Sequence, residues 1–219
     1  AALSRIKGMV GLESFTDRDL VIEAVIENMD EKKRIFSTLD RVCPAHAILA
    51  SNTSCLSVTE MAMSTKRPDK VLGMHFFNPV PVMRPVEIVK TILTSEETLN
   101  TAREVSKKLG KEVILAKDTP GFVVNRLLIP YMLDAIRVLE AGVATKEDID
   151  NGMVLGCNHP MGPLTLSDFV GLDTLLLIAD AMYDEFKDPA FAAPPLLRKM
   201  VLAGWFGRKA GKGFYDYKK

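Results

Sequence analysis

Residues 20–54 read LVIEAVIENMDEKKRIFSTLDRVCPAHAILASNTS, and this stretch decides the fold. Residues 20–26 form a short run rich in β-branched side chains, interrupted by one glutamate. Residues 29–42 follow with apolar side chains at helical spacing, while the charged residues 31–34 face mostly outward. A second apolar run, 47–50, ends in the polar turn SNTS. This order predicts two strands joined by a helix.

The same alternation continues through the first half of the chain. Further strands are predicted at 71–77, 86–89 and 113–115. The helix before the last strand begins with a capping box formed by Thr94 and Glu97. Strands that alternate with helices predict a mainly parallel sheet covered on both faces.

The pattern changes after Pro120, where no convincing strand follows. Helical patterns cover the remaining chain at roughly 122–142, 145–156, 164–187 and 194–204. The sequence therefore predicts an α/β domain over residues 1–117 and an all-helical domain over residues 118–219.

Composition argues against several classes of function. The 219 residues include 28 basic and 28 acidic side chains, and zero net charge argues against nucleic acid as a partner. The longest apolar runs contain acids or are too short to span a bilayer, which argues against a membrane protein. Three cysteines without a CxxC pair predict reduced thiols and a cytoplasmic location. The three histidines are scattered, so no metal site is expected.

His75 and Glu87 are candidates for proton transfer. Glu87 follows His75 at a distance of twelve residues (87 − 75) and lies among β-branched side chains. A carboxylate buried there needs a partner, and a neighbouring imidazole would form a general base with its orienting acid. The pattern equally allows a buried polar pair without a catalytic role, or two side chains that never meet.

Three further positions carry polar side chains where a ligand could bind. Residues 51–54 follow a strand, and ligands of doubly wound sheets bind beyond the carboxyl ends of strands. The alternative is a turn that caps the next helix. Asn125, in an otherwise apolar stretch, could donate to a substrate carbonyl or cap backbone. Glu27 and Lys32 could meet a nucleotide, although solvated charges are more common.

Six motifs occur together in this chain: SNTS at 51–54, HFFNPVP at 75–81, KDTPGFVVNR at 117–126, HPMGP at 159–163, VGLD at 170–173 and GKGFY at 211–215. In order and spacing they resemble the NAD-dependent 3-hydroxyacyl-CoA dehydrogenases, whose short-chain members are called 3-hydroxybutyryl-CoA dehydrogenases. The resemblance extends from about Leu20 to the C-terminus. It implies a truncated Rossmann-like doubly wound sheet that binds NAD, followed by an all-helical C-terminal domain.

The resemblance assigns the catalytic residues to Ser54, His75, Glu87 and Asn125. In this family the histidine takes the proton of the substrate 3-hydroxyl while a hydride leaves C3 for the nicotinamide. The glutamate orients and supports the imidazolium that forms. The serine and the asparagine hydrogen-bond the reacting oxygens.

The resemblance also implies a cofactor, a substrate and a partner. Contacts to NAD fall on Glu27, Lys32 and Asn52, near the ribose and the nicotinamide. The implied substrate is an (S)-3-hydroxyacyl-CoA of short chain length. The implied assembly is a homodimer through the helical domain, with residues 175–178 and 196–197 as candidate interface positions.

The front of the chain departs from the family pattern. Family members begin with a strand and a GxGxxG turn that holds the pyrophosphate. This sequence does not contain that strand and turn, and we expect the missing part to comprise roughly 60–80 residues, about two βα units. We therefore expect this chain alone to bind NAD poorly, and micromolar binding would contradict that. Two alternatives stay open: an inactive fragment or crystallin-like structural dimer of the same fold, and a dehydrogenase of free hydroxy acids.

Overall fold

The computed structural model describes residues 3–217. The chain divides into two compact units, Ala1–Phe122 and Val123–Lys219. A five-stranded sheet with helices on both faces forms the first unit, and the second is helical. The predicted fold class, a Rossmann-like α/β domain followed by a helical domain, is confirmed.

The sheet of the first unit is mixed. Its elements are β1 (Leu20–Glu23), α1 (Met29–Val42), β2 (Ile48–Ser51), α2 (Val58–Ala62), β3 (Val71–Phe76), β4 (Pro85–Lys90), α3 (Glu96–Lys108) and β5 (Glu112–Lys117), with short 3₁₀ turns at Leu3–Arg5 and Pro68–Lys70. The spatial order is β1-β2-β3-β4-β5. Strands β1 to β3 run parallel, β4 runs antiparallel to β3, and β5 runs parallel to β4.

The reversal at β4 has a simple cause. Strands β3 and β4 are joined by residues 77–84, a short segment rich in proline, and antiparallel strands need no crossover helix. Residues 78–84 of this segment, here named the β3–β4 loop, are all exposed. Strand β3 therefore pairs directly with β4, and Gly73 faces Val89 across the ladder.

Alternating side chains of the sheet form two cores. Leu49 of β2 packs on one face with Phe36 and Leu39 of α1, all at most 1% exposed. Its neighbour Ala50 points to the other face, where it packs with Leu99 of α3. Each large apolar side chain buried in this way stabilises the unit by about 1.5–3 kcal/mol relative to an exposed one.

Two element boundaries differ from the sequence-based expectation. Strand β1 ends at Glu23, because the amide of Val25 donates to the Glu23 carboxylate at 2.6 Å and not to a neighbouring strand. The N-cap of α3 is Ser95, whose hydroxyl accepts from the amide of Thr98. The predicted cap, Thr94, donates instead to the carbonyl of Val71 at 2.7 Å.

Five helices make up the second unit: α4 (Val124–Glu140), α5 (Lys146–Cys157), α6 (Pro163–Val170), α7 (Leu172–Phe186) and α8 (Pro195–Leu202), with 3₁₀ turns at Pro189–Phe191 and Arg208–Ala210. The single helix predicted at 164–187 is two helices, because Gly171 adopts φ 100° between them. No helix within residues 3–217 is long and apolar enough to cross a membrane.

A buried carboxylate ties the chain end to the helices of the second unit. Asp168 of α6 accepts hydrogen bonds from the amides of Phe214 and Tyr215 and from the hydroxyl of Tyr217. Burial raises the pKa of Asp168, although these donors oppose the shift. The motif at 211–215 is therefore a structural element of this unit.

The contact of Gly73 with β4 leads to a prediction about stability. A Cβ at Gly73 would lie 2.8 Å from Cβ of Val89 and 3.3 Å from Cγ2 of Val58, closer than atoms of a packed core tolerate. We expect Gly73→Ala to lower the free energy of unfolding by about 1–3 kcal/mol in urea denaturation.

The matched control is Gly152→Ala in the middle of α5, where an added Cβ meets nothing within 4 Å. This change should raise the free energy of unfolding by about 0.5–1 kcal/mol, since alanine loses less backbone entropy than glycine in a helix. Equal stability of the Gly73→Ala variant and the unchanged chain would contradict the packing argument.

Candidate active site

His75 and Glu87 meet in the middle of the sheet. They are direct partners in the antiparallel register of β3 and β4, and Nδ1 of His75 lies 2.7 Å from Oε2 of Glu87. His75 is 6% exposed and Glu87 is fully buried. Of the arrangements that the sequence left open, the structure shows the buried, paired one.

The Glu87 carboxylate fixes the proton on the imidazole. A carboxylate can only accept, so Nδ1 of His75 donates to it and Nε2 is left as an acceptor. The hydroxyl of Ser54 lies 3.1 Å from Nε2 and donates to it. The ring centroids of Phe77 and Phe122 lie 4.7 Å and 5.7 Å from the centroid of the imidazole, and the two rings shield it from water. His75 is therefore set up to receive a proton at Nε2.

Ser54 occupies the turn that follows β2. Its amide donates to Oε1 of Glu27 at 2.7 Å, and the hydroxyl of Thr53 donates to the same oxygen at 2.7 Å. Asn52 ties the turn to β3, because its Oδ1 accepts from the amide of Phe76 at 2.9 Å. The turn is thus held on two sides, and the Ser54 hydroxyl faces His75.

Cys55, next to Ser54, is not a nucleophile. It is 3% exposed, and burial, reinforced by the Glu27 carboxylate, raises the pKa of its thiol to about 12. At neutral pH the thiol is protonated, and only the thiolate is reactive.

Lys32 differs from its expected outward orientation. Its side chain is 1% exposed, and Nζ lies 2.8 Å from Oε1 of Glu23 and 3.1 Å from Oε2 of Glu27. Two carboxylates offset the cost of removing the ammonium group from water. Lys32 is held by these partners and supports Glu27 from the buried side.

The polar groups beside the Ser54 turn suit a nucleotide ribose. They lie where the parallel strands β1 and β2 end, which is where doubly wound sheets bind nucleotides. The Glu27 carboxylate is held by Nζ of Lys32 at Oε2 and by the Ser54 amide at Oε1, and its side chain is still 23% exposed, so a ribose hydroxyl could approach it. The amide nitrogen of Asn52 is available as a donor, since Oδ1 makes the contact to Phe76.

Glu23, Ser51 and Thr53 belong to the hydrogen-bond network that holds this turn. Sequence reasoning named Ser51 and Thr53 within the polar turn 51–54 but missed Glu23. Glu23 was interpreted as a break in the apolar run, yet it is 4% exposed. The signal was present, because an acid within an apolar run needs a partner if it is buried, which is the argument applied to Glu87.

Asn125 lies in the first turn of α4 and is half-buried. It belongs to the second unit, whereas the other candidate residues belong to the first. Its contact with substrate stays a prediction.

Comparison with known proteins identifies both halves of the chain. Residues 1–119 match the NAD binding domain of 3-hydroxyacyl-CoA dehydrogenase, and residues 121–217 match its C-terminal domain. A 3-hydroxybutyryl-CoA dehydrogenase of Clostridioides difficile is 52% identical over 217 residues, 99% of this chain and 77% of that protein.

Two solved structures are similar over the whole chain. FadB2 of M. tuberculosis has a TM-score of 0.98 and 52% identity over 99% of this chain and 77% of its own. The (S)-3-hydroxybutyryl-CoA dehydrogenase PaaH1 of Ralstonia eutropha has a TM-score of 0.96 and 49% identity over 100% of this chain and 77% of its own. Both domain matches and these identities show that the chain belongs to the 3-hydroxyacyl-CoA dehydrogenase family.

Proposed function

We propose that this protein is an NAD-dependent oxidoreductase that interconverts short-chain (S)-3-hydroxyacyl-CoA and 3-ketoacyl-CoA. The observation that carries the proposal is the position of the His75 imidazole between the Ser54 hydroxyl and the Glu87 carboxylate. Family membership supplies the substrate class and the cofactor. An inactive fragment or a crystallin-like structural dimer is not favoured, because the relatives are dehydrogenases.

His75 moves the proton in this reaction. Nε2 accepts the proton of the substrate 3-hydroxyl during oxidation and returns a proton to the 3-keto oxygen during reduction. Glu87 keeps the tautomer that leaves Nε2 free and stabilises the imidazolium after proton transfer. Burial of the pair strengthens this interaction, since water does not screen it.

Ser54 and Asn125 hold the substrate oxygens. The Ser54 hydroxyl can rotate from Nε2 of His75 toward a substrate oxygen near it, which orients the 3-hydroxyl for proton transfer. Asn125 would donate its side-chain amide to a second reacting oxygen. Both roles rest on the family resemblance at these positions.

Bound NAD would supply the acceptor for the hydride of C3. Glu27 would accept from a ribose hydroxyl through its partly exposed carboxylate, and Asn52 would donate through its side-chain amide. Lys32 holds the Glu27 carboxylate in place at 3.1 Å. The three residues thus contribute differently, two by contact and one by support.

We also propose a homodimer through the helical unit. Of the interface positions expected from the sequence, Leu175, Ile178 and Leu197 are buried inside the unit, whereas Leu177 is 51% exposed. Large apolar side chains are also exposed on three other helices: Leu127 is 72%, Leu155 83% and Leu202 86% exposed. Sedimentation equilibrium should give twice the chain mass of 24.2 kDa, and the monomer mass at all concentrations would contradict the dimer.

The cysteines support a cytoplasmic location. Cys43, Cys55 and Cys157 are all free, which fits a reducing compartment. Recovery of the protein from an oxidising compartment with these thiols converted to disulfides would argue against it.

The acid–base pair leads to the main functional prediction. We expect His75→Gln to abolish NADH oxidation with acetoacetyl-CoA, because Glu87, the other member of the pair, lies behind the imidazole and cannot donate a proton to the keto oxygen in its place. Glu87→Gln should lower kcat by roughly 10²–10⁴-fold, since an amide no longer fixes the tautomer or supports the imidazolium. The loss should appear in kcat more than in KM.

The control is His46→Gln, which changes an exposed histidine paired with Asp19 and should leave the rate unchanged. The assay uses this chain and the natural protein with any residues that precede Ala1. Full activity of the His75→Gln variant would refute the assignment of the base. Turnover of free acetoacetate in place of acetoacetyl-CoA would favour a dehydrogenase of free acids.

A further inference from the structure

Glu23 is a buried acid that the proton path through His75 and Glu87 does not use. It is the last residue of β1, and both of its carboxylate oxygens are engaged. Oε1 accepts from the Lys32 ammonium group at 2.8 Å and from the amide of Val25 at 2.6 Å. Oε2 accepts from the hydroxyl of Ser51 at 2.6 Å.

We infer that Glu23 is a positioning residue that acts on Ser54. Through two separate chains of contacts it fixes the turn formed by residues 51–54, and thereby the hydroxyl that faces Nε2 of His75. This inference rests on the role proposed above for Ser54.

The first chain of contacts runs through Ser51. Its hydroxyl proton is committed to Glu23, so the same oxygen is left to accept from the amide of Thr53 at 3.2 Å. The backbone reinforces this contact, because the amide of Asn52 donates to the carbonyl of Glu23 at 2.8 Å. The end of β1 therefore fixes the first three residues of the turn.

The second chain of contacts runs through Lys32 and Glu27. Lys32 lies between Glu23 and Glu27, and Oε1 of Glu27 accepts from the amide of Ser54 at 2.7 Å. The Glu27 side chain is 23% exposed, whereas the side chains of Lys32 and Glu23 are 1% exposed. The position of Lys32, and with it the carboxylate that holds the Ser54 amide, is therefore set from the buried side by Glu23.

The charges of this group favour positioning over stabilisation. Two carboxylates and one ammonium group leave one net negative charge in a group of which only Glu27 is partly exposed. Replacing a buried ion pair by apolar residues is often neutral or stabilising, and in some proteins buried polar groups select one arrangement. At Glu23 the arrangement selected is that of the turn carrying Ser54.

The first test is a double-mutant cycle in the acetoacetyl-CoA assay. Glu23→Gln keeps the size of the side chain and removes its negative charge. It also replaces one of the two carboxylate oxygens by an NH₂ group, so that the side chain can no longer accept from both Lys32 and Ser51 through separate oxygens. We expect kcat to fall roughly 10- to 100-fold, as for a small misplacement of a catalytic group, while KM changes by less than about three-fold. In a Ser54→Ala background the same change should cost no further activity.

The second test needs no cofactor or substrate. Amide hydrogen exchange of the free chain should show about ten-fold less protection at Thr53 and Ser54 in the Glu23→Gln variant. Amides in α3, which packs on the face of the sheet opposite α1, should exchange at the same rate in the variant and in the unchanged chain. Ser51→Ala removes the acceptor of the Thr53 amide and interrupts only the first chain of contacts, so protection should fall at Thr53 and stay unchanged at Ser54.

The control is Glu31→Gln on the same helix as Lys32, which removes an exposed acid paired with Arg34 and should change neither measurement. Additive losses in the cycle, or unchanged exchange at Ser54 in the Glu23→Gln variant, would overturn the inference. Full activity of the Ser54→Ala variant alone would overturn the proposed role of Ser54, and exchange would still decide whether Glu23 holds the turn.

Discussion

His75 and Glu87 face each other because β3 and β4 pair antiparallel in one register, and the rest of the site depends on this pairing. If the register of β4 against β3 slipped by one residue, Glu87 would no longer lie opposite His75, and the side chains of one strand would point to the other face of the sheet. The pairing also brings Gly73 against Val89, two positions from each member of the pair, where only hydrogen fits. Main-chain hydrogen bonds and close packing therefore set the acid–base geometry together.

Much of the fold could be predicted from the sequence, because alternation and helical spacing are local properties. The predicted helix at 29–42 is α1, and the predicted strand at 71–77 is β3 within one residue. The direction of β4 could not be predicted, since it depends on which strand it pairs with. The break of the helix at Gly171 depends on a backbone conformation that a hydrophobic pattern does not record.

The site shows the same division between local and spatial information. The motifs identified Ser54 and His75 through their resemblance to a family, and the structure supplies the contact between them. Glu23 and Lys32 escaped notice as a pair because nine positions of sequence separate two charges that lie 2.8 Å apart. Their burial follows from the packing of α1 on one face of the sheet, which no single residue pattern contains.

The β3–β4 loop lies between the two strands that hold His75 and Glu87, yet it is exposed along its whole length. The ladder anchors both ends of this segment beside the proton-transfer pair, while its side chains meet solvent. Residues 78–81 also belong to the motif HFFNPVP, one of those that carry the family resemblance. Within seven residues the motif thus passes from a buried histidine to exposed positions, so a sequence signature does not by itself separate packed from solvent-facing residues.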